Sequence, residues 1–87
     1  MHAVIVTVTL SDPEAATSHL REEIVPAVKQ APGLVAGYWT RQDESGISMV
    51  VFESEDAAKA MSERVPSMVP DVVTLENVEV REVVAHI

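Results

Sequence analysis

Two stretches of this chain, His2–Leu10 (HAVIVTVTL) and Val72–Ile87 (VVTLENVEVREVVAHI), place β-branched residues on both alternating faces. A strand that is apolar on both sides has to be covered on both sides. The first strand opposes Ile5 to Val4, Val6 and Val8. The last carries Val78, Val80 and Val84 on one side, with Val83, Ala85 and Ile87 on the other. This demand has to be met within 87 residues, a length that supports one domain over residues 1–87 and no second core. Sixteen valines in a chain that is 47% hydrophobic supply enough apolar mass for that core.

Between these strands the pattern divides cleanly. Ser11-Asp12-Pro13-Glu14 is a helix start, with a capping side chain, proline near the first helical position and acid in the first turn. Ala16, Leu20, Ile24, Ala27, Val28 and Ala31 then form one apolar stripe at helical spacing. Pro26 falls inside the stripe. It withholds the backbone donor that the Glu22 carbonyl needs and crowds the preceding turn, so a bend or break is expected near Glu22–Glu23. Pro32-Gly33 ends the helix. Leu34–Gln42 and Ile47–Ser54 read as strands joined by a hairpin turn over Asp43–Gly46. Ser54-Glu55-Asp56 caps a second helix to about Val65, with Ala57, Ala58, Met61 and Val65 inward, and Pro66 and Pro70 bracket a loop. The order β-α-β-β-α-β predicts an α+β, ferredoxin-like sandwich, its antiparallel sheet in the order 4-1-3-2. Two helices cover one sheet face. The other face is left apolar, which predicts a homodimer closed sheet against sheet.

Charge and motif content exclude most alternatives. A net charge of −8, with Lys29, Lys59, Arg21, Arg41, Arg64 and Arg81 as the only strong bases, provides no basic stripe for nucleic acid or a membrane surface. No apolar stretch approaches membrane-spanning length. The N-terminal run has no basic region ahead of it, so no signal peptide and a cytoplasmic location are expected. Without cysteine there is no disulfide framework or thiolate site. The three glycines are too scattered for a phosphate loop or dinucleotide fingerprint, and no serine sits in a Gly-x-Ser-x-Gly elbow. The expectation is a domain with neither cofactor nor metal.

The run Val25-Pro26-Ala27-Val28, then Ala31-Pro32-Gly33-Leu34-Val35-Ala36-Gly37-Tyr38, and later Met49-Val50-Val51-Phe52-Glu53-Ser54-Glu55-Asp56-Ala57-Ala58, resembles the dimeric α+β barrel superfamily. Within it the likeness is to antibiotic-biosynthesis-monooxygenase-type domains, over nearly the whole chain. That resemblance implies a homodimer with a pocket near each sheet. It does not imply one chemistry, because the family spans cofactor-independent oxygenases, haem-degrading enzymes and isomerases. The haem-degrading members resemble one another in an asparagine, tryptophan and histidine triad. Here the first strand has Thr7 and Thr9 and no asparagine, and the second helix has no histidine. Phe52 stands where many relatives carry tryptophan.

The candidate site residues are Trp39, Arg41, Phe52, Tyr38 and His19. With the turn at Asp43–Gly46, Trp39 faces Val50 and Gly37 faces Phe52, which places Trp39, Phe52, Val35 and Arg41 on one face and Tyr38, Met49 and Val51 on the other. Trp39 and Phe52 would wall a pocket for a small apolar or aromatic ligand, with Arg41 at its mouth as donor or oxyanion partner. The simpler alternative makes the two rings core anchors and Arg41 a solvated strand-end residue. Histidine titrates near neutral pH. His19 reads as a surface pair with Glu23 four residues on, or as a base if it faces the sheet. His2 and His86 fall at neighbouring ends of adjacent antiparallel strands, where their rings could approach, but without a carboxylate placed to complete a metal site they read as terminal surface histidines. Three functions remain open: a cofactor-independent monooxygenase-like enzyme, a non-catalytic binding or stress-response dimer, and a dimerising scaffold.

Overall fold

The computed structural model describes residues 1–87. Strand β1 (His2–Leu10) leads into helix α1 (Pro13–His19), a π-helical turn (Leu20–Ile24) and helix α2 (Val25–Lys29). Strands β2 (Leu34–Gln42) and β3 (Ser45–Phe52), helix α3 (Glu55–Arg64), a short 3₁₀ turn (Val65–Ser67) and strand β4 (Val73–Glu82) complete the chain. The sheet is antiparallel in the order β2-β3-β1-β4, the order expected. Both helix starts are capped as their sequences require. The Ala15 amide donates to Asp12 Oδ1 at 3.1 Å, and the Ala57 amide donates to Ser54 Oγ at 3.1 Å.

The first helix breaks where Pro26 demands it. Proline offers no amide to Glu22, and the ladder widens there: the Val25 amide donates to the Leu20 carbonyl, five residues back. The stripe therefore continues in two α-helical pieces joined by one π turn. Gly33, at φ 79°, then turns the chain into β2.

One sheet face carries Val4, Val6, Val50 and Phe52, which form a single core with Val28 from α2, Ala58 and Met61 from α3, and Val65. The opposite face presents Ile5 and Val51, half-buried, beside the exposed Met49, Ile47 and Tyr38. No element of the chain covers it.

Three expectations need correction. The hairpin turn is two residues, Asp43 and Glu44, not four, so Gln42 pairs with Ser45, Trp39 with Ser48 and Gly37 with Val50. An irregularity between Leu34 and Ala36 brings Leu34, not Gly37, opposite Phe52. The last strand stops at Glu82, its partner being His2, and the Val83 amide makes one further bond to the Met1 carbonyl. From Val83 to Ile87 the alternation builds no ladder with β1. The open side of β4 is consequently Asn77, Glu79 and Arg81, polar rather than apolar, and the apolar patch lies on β1, β3 and β2. For the same reason His2 and His86 do not meet. His2 Nε2 lies 3.4 Å from Glu55 Oε2 instead.

Candidate functional site

The site arises from uneven packing of the two helical segments. Helix α3 packs directly on β1, β3 and β4, whereas the first helical segment makes few contacts with the sheet. The gap between them is a cavity of about 350 Å³, partly open to solvent, within the size range of small-molecule sites. Its floor is the inward row of the sheet (Val4, Val6, Val50 and Trp39), and Leu20, Ile24 and Met61 come from the helices above. The π turn contributes directly. By widening the helix at Leu20–Ile24 it sets Leu20, Arg21 and Ile24 against the cavity, the kind of placement in which such turns recur at functional sites.

Trp39 is half-buried and walls this cavity, with its other flank on a smaller hollow of about 190 Å³ beside Gly37. A Cβ at Gly37 would lie 3.0 Å from the indole Cη2. The ring therefore lies back along its own strand over the bare glycine, two residues earlier on the same face. The room under the indole is Gly37's, and the ring that occupies it is Trp39 and not Phe52. Gly37→Ala is expected to tilt the indole and alter the cavity while the sheet persists. Near-ultraviolet circular dichroism of the single tryptophan would change, with the far-ultraviolet spectrum retained.

Arg41 stands at the mouth. Its Nη1 donates to the Pro13 carbonyl at 3.1 Å and to Thr17 Oγ1 at 3.0 Å, and the Thr17 hydroxyl donates to the same carbonyl at 2.8 Å. These bonds tie the end of β2 to the start of α1 and orient the guanidinium. His19 is half-buried and lines the cavity. It makes no ion pair with Glu23.

Phe52 and Tyr38 lie elsewhere. Phe52 is 1% exposed in the packed core and does not reach the cavity, whereas Tyr38 is 65% exposed on the open sheet face. Arg21, Thr17 and the segment Met68–Pro70 also line the cavity, and residue-by-residue reading missed them. Pro26 was the available signal, since a broken helix cannot lie flat on a sheet. No group of three or more histidines, aspartates or glutamates is gathered as a metal site would need.

No family model matches the chain, and neither does any curated protein. Solved structures do. A crystal structure of an MhuD mutant with two manganese protoporphyrin IX bound per active site superposes with a TM-score of 0.69 at 15% identity, covering 100% of this chain and 98% of that one. A monooxygenase from the gene ActVA-Orf6 of Streptomyces coelicolor, in complex with Nanaomycin D, superposes with a TM-score of 0.62 at 12% identity, covering 99% of this chain and 89% of that one. At such identities what is shared is the fold. This chain shares with both structures the ferredoxin-like β-α-β-β-α-β fold, its antiparallel sheet in the order β2-β3-β1-β4.

Proposed function

We propose that the protein is a homodimer whose protomers each hold one small, largely apolar aromatic molecule in the cavity beside Trp39, and that it oxygenates that molecule without a cofactor. The observation that carries this reading is the cavity itself: apolar over most of its wall, bounded by one indole, and polar at its mouth. A substrate that ionises to a phenolate or enolate can pass an electron to dioxygen by itself. The protein then has to exclude water, orient the ring and stabilise the anion. Trp39 and the valines do the first two, Arg41 the third, and His19 is the lining group able to accept the ionising proton. Both neighbouring structures hold a bound small molecule, manganese protoporphyrin IX in one and Nanaomycin D in the other, which accords with this reading. Haem degradation is not supported, because strand β1 has no asparagine and helix α3 no histidine. The second reading, non-catalytic binding, rests on the lining containing no carboxylate, so that His19 stands alone as acid–base group.

Titrating a naphthol and following Trp39 fluorescence, then measuring oxygen uptake, separates the two. Saturable quenching with oxygen uptake that falls about 10²-fold or more in His19→Ala is the expected result. Quenching without uptake establishes the binding module, and absence of quenching rules out both.

A further inference from the structure

The chain is strongly acidic, with 14 aspartates and glutamates against 6 lysines and arginines, yet the cavity reverses that sign. Its lining includes Arg21, Arg41 and His19 and not one carboxylate. Elsewhere Lys59 meets Glu55 at 3.2 Å and Arg81 meets Glu79 at 2.9 Å, while Lys29 and Arg64 stand without ion-pair partners away from the cavity. Neither Arg21 nor Arg41 has an ion-pair partner. Arg41 is held through Nη1 alone, by Pro13 and Thr17, which leaves Nε and Nη2 without protein partners. Arg21 follows Thr17, the Arg41 partner, by four residues, about one helical turn, and both arginines line the cavity. Below them the wall is Trp39, Met61, Val65 and Met68.

We propose that the occupant of this cavity is an amphiphilic carboxylate, with its single anionic head between Arg21 and Arg41 and its apolar body against Trp39. This rests on the reading of the cavity as a ligand site and narrows it to a charge class. A guanidinium presents paired donors that match a planar carboxylate. Two cations on one rim without counter-charges repel each other, and a bound anion relieves that repulsion while its apolar body is desolvated below. A phosphate head fits less well, because the rim has no glycine-rich loop of convergent amides to cradle three oxygens. The net charge of −8 repels anions at long range, so selectivity has to be local, made by the rim itself.

The test is a calorimetric titration with a matched pair, 2-naphthoate and neutral 2-naphthamide. We expect naphthoate to bind about tenfold tighter, the difference shrinking as salt is raised. Arg21 is exposed and makes no hydrogen bond or ion pair, so Arg21→Gln leaves the fold intact. It should weaken naphthoate roughly fivefold and leave naphthamide unchanged. Arg41→Gln should weaken naphthoate likewise but also cuts the tie between β2 and α1, so Arg21→Gln, with thermal unfolding unchanged, is the deciding variant. Equal affinity for acid and amide, or equal weakening of both by Arg21→Gln, overturns the carboxylate assignment and leaves the cavity as a ligand site. Failure of both compounds to bind overturns the ligand site as well.

Discussion

Ile5→Asp is expected to leave the chain unfolded or aggregated, not as a stable monomer. Ile5 lies mid-sheet on the open face, between Met49 of β3 and Glu79 of β4, and with Val51, Ile47 and Tyr38 it belongs to the apolar patch that no helix covers. At roughly 25 cal/mol per Å², several hundred Å² of such surface is worth about as much as the whole stability of a small domain. Pairing two copies about a two-fold axis buries the same patch on each and leaves nothing to propagate. Aspartate at position 5 would be buried without a partner in that dimer. Beside Glu79 it would also be repelled within its own sheet. Ile5→Lys separates these effects, since lysine is attracted to Glu79 but is equally costly to bury. It too is expected to fail. Sedimentation of the parent protein as a folded, monodisperse species of 9.4 kDa at micromolar concentration would rule out the dimer, whatever the variants do.

The second large effect separates the two big rings on the inward face. Phe52 is enclosed on all sides, so Phe52→Ala should cost about 3–5 kcal/mol, the range for deleting a buried aromatic ring, and leave little or no folded protein at room temperature. Trp39 is larger but only half-buried, with a hollow on either flank. Its removal enlarges spaces already open to water and creates no sealed void, so Trp39→Ala should cost clearly less. The expected product is a folded protein that no longer binds naphthol or naphthoate. Urea unfolding of both variants, with calorimetry on whichever remains folded, checks the contrast. A Trp39→Ala variant as unstable as Phe52→Ala would make the indole a core anchor, the simpler of the two roles open to it from the sequence.

These two rings also show where sequence reasoning held and where it stopped. The hairpin register deduced from Asp43–Gly46 was displaced by two residues, because Ser45 and Gly46 belong to β3 and the turn is Asp43-Glu44 alone. The displacement left the faces of Trp39, Arg41 and Tyr38 intact, since side chains alternate with period two and a shift by two restores the same side. It did change who meets whom: Ser48, not Val50, stands across from Trp39. Partners depend on register, and register depends on turn geometry that neither pattern nor composition encodes.

Alternation, capping and proline chemistry act over a few neighbouring residues. They determined the element order, the inward face of each strand and the irregularity before Pro26, and the handedness of crossovers added the sheet order. The tertiary structure decided everything that depends on distance between elements. It ended β4 at Glu82, opposite His2, and put His2 beside Glu55. Above all, it held the first helical segment off the sheet while α3 packed down. Whether His19 faces water or a cavity, and whether Arg21 and Arg41 share one rim, follow from that gap, which is the difference between two packings of the same apolar stripe.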